Sequence, residues 1–188
     1  MSGSHLSTRR PPAIGDIAPD CVLPLLDGTR INLRADAIAG NPIALVFCPK
    51  SAPSVAQALS EFSARYDSFT AAGARLFAIT PERTKDSITL EIPFSILLNR
   101  KQGVFHAFGA TQETTTTIVL QPNHHVTAIL KGAARTQAPD ALAVVERLAA
   151  ERKPTLMAAH PPVLIVPDVL GQEDCRRLIT IYDTRAMC

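Results

Sequence analysis

Pro42-Ile43-Ala44-Leu45-Val46-Phe47-Cys48-Pro49 is the stretch on which the fold turns. Ile43 to Phe47 is an unbroken apolar run with no alternating polar positions. That pattern suits a strand buried on both faces, as in a parallel sheet. After a loop from Pro49 to Pro53, Val55, Leu59, Phe62, Tyr66 and Phe69 recur at helical spacing. They predict one long helix with a single apolar stripe, whose plain reading is core packing. Ser54 with Gln57 offers a capping box at its start, and Gly73 follows its end. Arg75-Leu76-Phe77-Ala78-Ile79-Thr80 is then a second buried strand. Strand, helix and strand in that order form a βαβ unit, which closes right-handed onto a parallel sheet.

Upstream, Cys21 to Leu26 reads as a short strand in which Pro24 implies an edge position. The Asp27-Gly28 turn and the return strand Arg30 to Leu33 complete a β-hairpin. Downstream, Glu82 to Thr89 is expected as a short helix and Phe94 to Leu98 as a short apolar segment. Val104 to Phe108 predicts a short helix stopped by Gly109. Thr116 to Leu120 and His125 to Leu130 predict a second hairpin turning at Pro122-Asn123-His124. Asp140 to Glu151 predicts a final helix, with Pro139 at its entrance and Leu142, Val145 and Leu148 inward. The fold class is α/β, a central mixed β-sheet flanked by helices with an N-terminal β-hairpin.

Composition narrows the function. With 188 residues, 46% hydrophobic and 19% charged, the chain holds one ordinary domain plus something small. A net charge of +2 without a basic block, and only 5% aromatics, disfavour nucleic acid as a partner. No apolar run is long enough for a membrane span, and Met1 to Pro12 lacks a secretory pattern. Cys21, Cys48, Cys175 and Cys188 form no C-x-x-C pair, so the expectation is a reduced, cytoplasmic protein. The expected organisation is a flexible tail over 1–14, a main domain over 15–152, a Pro-rich linker over 153–162 and a further segment over 163–188.

Gly15-Asp16-Ile17-Ala18-Pro19-Asp20, then Leu25-Leu26-Asp27-Gly28, then Ala44 to Pro49, resembles the opening of a peroxiredoxin. Ile92 to Asn99 resembles a later stretch of that family, with Asn99 where Asp is usual, and Phe108-Gly109-Ala110 resembles the motif that follows it. The resemblance covers about Gly15 to Glu151 and implies a thioredoxin-like fold. It also implies a peroxide-reducing site: a cysteine in the first turn of the long helix, at the end of P-x-x-x-T-x-x-C, whose thiolate is favoured by helix N–H groups and an Arg. Laid on Pro49, the motif puts Pro53 at the Thr position and Ala56 at the Cys position, and the Arg position falls on Thr115. A degenerate site with no catalytic residue is therefore expected at Pro49, Pro53, Ala56 and Thr115.

Cys48 is the alternative nucleophile, at the loopward end of the apolar strand; its plain reading is a small core hydrophobe with a raised pKa. Cys21 falls where the family has a core Phe, and Cys175 lies on the apolar face of a helix expected over Gln172 to Tyr182; both read as packing. His106 reads as partly packed and His124-His125 as a turn. No histidine motif has metal-ligand spacing, so no metal and no cofactor are expected in this stretch.

Pro162 to Leu170, with a strand at Val163 to Val166, and then Glu173 to Ile179 resemble the entry of the prolyl-4-hydroxylase-like 2-oxoglutarate/Fe(II) dioxygenases. The resemblance implies that 163–188 begins such a domain, with Fe(II) and 2-oxoglutarate bound by residues further on. The bland alternative is a terminal strand and helix docked on the first domain. Three functions follow: a docking, dimerising or regulatory module for its own dioxygenase domain, a thiol peroxidase using Cys48, or a structural remnant. A homodimer is plausible by analogy with the peroxiredoxins.

Overall fold

A computed structural model of the protein describes residues 10–25, 27–33, 40–81, 91–99, 103–151 and 171–185. The chain divides into two compact units, Met1–Lys153 and Pro154–Cys188. In the first, the described strands are β1 (Val22–Pro24), β2 (Arg30–Asn32), β3 (Ile43–Phe47), β4 (Arg75–Thr80), β5 (Ser95–Leu98), β6 (Thr115–Leu120) and β7 (Val126–Gly132). The described helices are α1 (Ala52–Ser63), α2 (Tyr66–Ala71), α3 (Gly103–Phe108) and α4 (Ala134–Glu151). In the second unit, α5 spans Gln172–Arg185.

The apolar run at residues 43–47 forms the centre of a five-stranded sheet ordered β5-β4-β3-β6-β7. β3 pairs parallel with β4, Ile43 opposite Arg75 and Phe47 opposite Ile79, and antiparallel with β6, Phe47 opposite Thr116. All five of its residues are buried. Because side chains alternate along a strand, β3 feeds two cores. Ala44, Val46 and Cys48 pack with Val55, Leu59, Phe62, Phe69, Ala138 and Val145 of the helical face. Ile43, Leu45 and Phe47 pack on the other face with Phe105 and Phe108 of α3 and with Cys21 and Leu23. Phe47 meets Phe105 edge-on at 5.2 Å, a favoured aromatic geometry.

The expected N-terminal hairpin is present as a separate two-stranded sheet, β1 with β2. Its turn is fixed by the Thr29 N–H donating to Asp27 Oδ1 at 2.8 Å and by Gly28 at φ +92°. Residues 10–18, partly read from sequence as tail, lie along the β6–β7 connection. Gly15 N–H donates to the Val126 carbonyl, Val126 N–H to the Asp16 carbonyl and Ala18 N–H to the His124 carbonyl. His125 Nδ1 contacts the Gly15 carbonyl at 2.7 Å.

Three helix expectations are corrected. The single long helix is two, broken at Ala64–Arg65. The Arg65 N–H turns to the Phe62 carbonyl, and the Arg65 guanidinium instead takes the Glu61 carbonyl and the Glu61 carboxylate, each at 3.0 Å. The side chain thus satisfies the acceptor that its own backbone abandoned, so the break leaves no orphan. The capping box at Ser54 does not form: α1 starts earlier, with Ser51 as N-cap making no side-chain bond, and Pro53 sits in the first turn where its missing N–H is harmless. The last helix of this unit begins at Ala134, and Pro139 lies inside it. Small buried Ala134, Ala138 and Ala141, good helix formers without an obvious stripe, hold the added turns on the sheet. Pro139 is on the exposed side, where water can serve the carbonyl it leaves unpaired.

Two packing expectations also change. His106 is exposed, because Val104, Phe105 and Phe108 turn the other side of α3 inward. Cys175 is exposed, as are Leu178 and Tyr182. The expected helix over 82–89, linker over 153–162 and strand over 163–166 lie outside the described residues, as does Cys188. No helix among the described residues is long and apolar enough to cross a membrane.

Gly109, at φ +67°, stops α3 where an added Cβ would stand 2.6 Å from Pro11 Cβ. Gly109→Ala should therefore lose about 2–3 kcal/mol in urea denaturation, from left-handed strain plus the clash. Gly28→Ala, in open space at φ +92°, should lose only the strain, about 1–2 kcal/mol. Equal losses at the two sites would remove the Pro11 contact from the account.

Candidate functional site

The C-terminal ends of the parallel strands, with the start of α1 above them, bring together the residues singled out from sequence. β3 runs out at Phe47, and Cys48 follows with its N–H donating to the Ile79 carbonyl at 2.9 Å. Pro49 is buried in the next position. Lys50 N–H then donates to the Gln112 carbonyl at 2.9 Å, tying the loop to the segment before β6. The Phe47–Thr116 pairing puts Thr115 one step beyond, level with Cys48 across the sheet. Ala56 is half-buried on α1, and Pro53 is exposed in the helix's first turn.

The helix α1 reads Ala-Pro-Ser-Val-Ala-Gln-Ala-Leu-Ser-Glu-Phe-Ser and carries no thiol. Its first turn has no acidic residue, its N-cap makes no side-chain bond, and Pro53 removes one of the N–H groups that make a helix start attractive to an anion. Cys48 is fully buried, and its sulfur has only a weak 3.8 Å contact, to the Val46 carbonyl. Burial alone pushes its thiol from the ordinary 9.0 up to about 12. A thiolate needs a nearby positive charge or open helix donors to form near neutrality, and desolvation acts against it.

Thr115, where the resemblance calls for a cation, is instead part of a neutral buried network. Gln137, from the unexpected first turns of α4, is 2% exposed. Its Oε1 accepts from Thr117 Oγ1 at 2.7 Å, and its Nε2 donates to the carbonyls of Thr115 at 2.9 Å and Gly132 at 2.7 Å. One amide so locks β6, β7 and α4 together. Sequence reasoning missed Gln137, because a lone Gln two positions before a proline carries no pattern. Asn99 also gains a role: its side-chain oxygen, in the orientation that satisfies it, accepts from the N–H groups of Val104 and Phe105 at 3.1 Å each. That serves the start of α3 as an Asp would. Thr80 Oγ1 and Gln112 Nε2 are buried without a hydrogen-bond partner among the described residues. Among the described residues no group of three His, Cys, Asp or Glu side chains is placed to hold a metal.

Residues 14–129 match the model of the AhpC/TSA family. The chain belongs to that family. Among solved structures, this AhpC/TSA domain is similar to peroxidoxin BcpB from Mycobacterium tuberculosis, at 20% identity and a TM-score of 0.66 over 72% of this chain and 97% of that one. It is similar to peroxiredoxin Q from Xanthomonas campestris at 22% identity and a TM-score of 0.63, over 73% and 99% of the two chains. A thiol:disulfide interchange protein DsbE from Chlorobium tepidum follows at 18% and 0.58, over 71% and 99%. At these identities the likeness establishes the thioredoxin-like fold. No match to a curated protein was found.

Two measurements test the site's physics. Gln137→Leu strands the buried Thr117 hydroxyl and takes a donor from the Thr115 carbonyl in the interior and from the part-buried Gly132 carbonyl, and should cost about 2–4 kcal/mol by urea denaturation; a loss under about 1 kcal/mol would mean that water replaces the amide. Cys48 should make stability fall at high pH. The unfolded thiol ionises near 9.0 while the folded one holds its proton to about 12. Its contribution is thus complete below pH 9 and is lost as pH rises toward 12. Between pH 8.5 and pH 11 the protein should lose roughly 2–3 kcal/mol more than Cys48→Ala does.

Proposed function

We propose that this AhpC/TSA domain has no peroxidase activity of its own and serves as an N-terminal docking, dimerising or regulatory module of a 2-oxoglutarate/Fe(II) dioxygenase. One observation carries the first half: α1 holds no thiol, and the nearest cysteine, Cys48, is fully buried with its pKa pushed up to about 12. At pH 7 such a thiol is ionised in on the order of one molecule in 100,000. Pro53, Ala56 and Thr115 at the expected peroxide-holding, nucleophile and cation positions point the same way. The second half rests on the resemblance of residues 162–179 to a dioxygenase entry, and α5 fits the helix of that motif. On this reading the domain needs no cofactor, and Fe(II) and 2-oxoglutarate belong to the dioxygenase domain. The partners are that domain and a second copy of the chain, in the cytoplasm, with no nucleic acid or membrane involved.

A second reading, a divergent thiol peroxidase using Cys48, is favoured by the position of Cys48 at the loopward end of β3, immediately before α1. Alkyl peroxide reduction activity is named for a similar solved protein, the bacterioferritin comigratory protein of Xanthomonas campestris.

Rapid mixing with hydrogen peroxide separates the two, combined with iodoacetamide labelling at pH 7 read by peptide mass spectrometry. The expected result is peroxide loss no faster than for a simple thiol, with Cys175 labelled and Cys48 protected in the folded protein. Fast peroxide loss that disappears in Cys48→Ser would establish the second reading instead.

A further inference from the structure

Residues 10–18 form a strap over the β6–β7 connection, and the strap carries part of its own order. Asp16 N–H donates to the Ala13 carbonyl at 3.0 Å. Asp16 Oδ2 accepts from Ala13 N–H at 2.9 Å and pairs with Arg10 at 3.2 Å. These ties lie inside the segment and travel with it. The seat is built from residues far along the chain. Val126 bonds through both its N–H and its carbonyl to Asp16 and Gly15, Ala18 N–H donates to the His124 carbonyl, and His125 Nδ1 meets the Gly15 carbonyl. Ile17 stands opposite His125 as an antiparallel pair, and Pro11 stands over Gly109. Main-chain pairing of this kind does not depend on connectivity. The same segment of another copy makes the same bonds.

The link from the strap to β1 is short. Pro19 and Asp20 lie between buried Ala18 and buried Cys21. Proline fixes one backbone angle and narrows the ways so short a link can fold back, and short constrained links invite exchange between copies. Ile17 and Val22 flank this hinge and are 57% and 47% exposed. In an exchanged pair the two hinges pass each other at the twofold axis, which brings these apolar side chains near their counterparts. Exchange thus covers apolar surface that one copy alone leaves in water.

We propose that the strap is exchangeable: residues 10–18 of one copy occupy the seat on residues 109 and 124–126 of a second copy, giving a twofold dimer. The proposal rests on the second copy named above as a partner, and on neither the peroxidase nor the dioxygenase half of that reading. A short link gives closure within one chain an effective concentration on the order of 1 mM, so exchange is expected at comparable protein concentrations.

The strap supplies its own test. Ile17 and His125 face each other between two main-chain bonds, Val126 N–H to the Asp16 carbonyl and Ala18 N–H to the His124 carbonyl. That is the closer kind of antiparallel pair, with Cα atoms about 4.5 Å apart, a spacing that suits a disulfide. The background is the full chain with Cys175→Ser and Cys188→Ser. Ile17→Cys and His125→Cys chains are prepared separately, mixed at about 1 mM, incubated reduced, and then oxidised with oxidised glutathione. The expected result is a dimer on a non-reducing gel whose peptide map joins positions 17 and 125. Its yield should be about tenfold that of Ile17→Cys mixed with Arg147→Cys, whose thiol is exposed on α4 away from the seat. Both substitutions in one chain, at micromolar concentration, should cross-link within the monomer and so show that the variants fold with the strap seated. A mixed yield no higher than that of the Arg147→Cys control would overturn the exchange. A double variant that does not cross-link would overturn the seat itself. A dimer in sedimentation that gives no link between positions 17 and 125 would also overturn the exchange, and would leave the second copy standing as a partner.

Discussion

β3 can serve as the central strand only because both of its edges and both of its faces are taken. Its backbone is paired on one side by β4 and on the other by β6, so no polar group of the run meets apolar surroundings alone. Its side chains then divide between the two cores, as do those of the four strands that flank it. Truncating Phe47 would open a hole among Phe105, Phe108 and Ile79, a change that commonly costs about 3–5 kcal/mol. The same burial decides the fate of Cys48. It continues the helical-face side of β3 by one more step, so the constraint that builds the sheet also removes the thiol from water.

What the sequence made legible follows from period and punctuation. The apolar run at 43–47, the Asp27-Gly28 turn, the stop at Gly109 and the Pro122-Asn123-His124 turn all act locally, and each has its expected place in the structure. The misreadings occur where a side chain acts at a distance. Nothing near Arg65 says that its guanidinium will replace its own N–H on the Glu61 carbonyl and let one helix become two. Nothing near Gln137 says that it will meet residues 115 and 117. Pro139 looked like a start because that is where proline is usually harmless; the exposed side of a helix held on the other side by alanines is equally permissive.

The region around Ala56 was readable as a set of substitutions but not as an environment. Residue types at positions 53, 56 and 115 come straight from the sequence. That Thr115 is tied through its carbonyl to a buried amide, and that Cys48 is fully buried, are properties of packing.

Residues 10–18 have a further consequence, concerned with time. Gly15, Asp16 and Ala18 form backbone hydrogen bonds with residues 124–126, more than a hundred positions later. At about 5–20 residues per second, synthesis would leave this segment without its partners for roughly 6–20 seconds. During that interval Ile14 and Ile17, which remain largely uncovered even in the folded protein, lack the backbone pairing of their neighbours. The segment that fastens the β6–β7 connection is thus made well before the residues it joins, and has to wait for them.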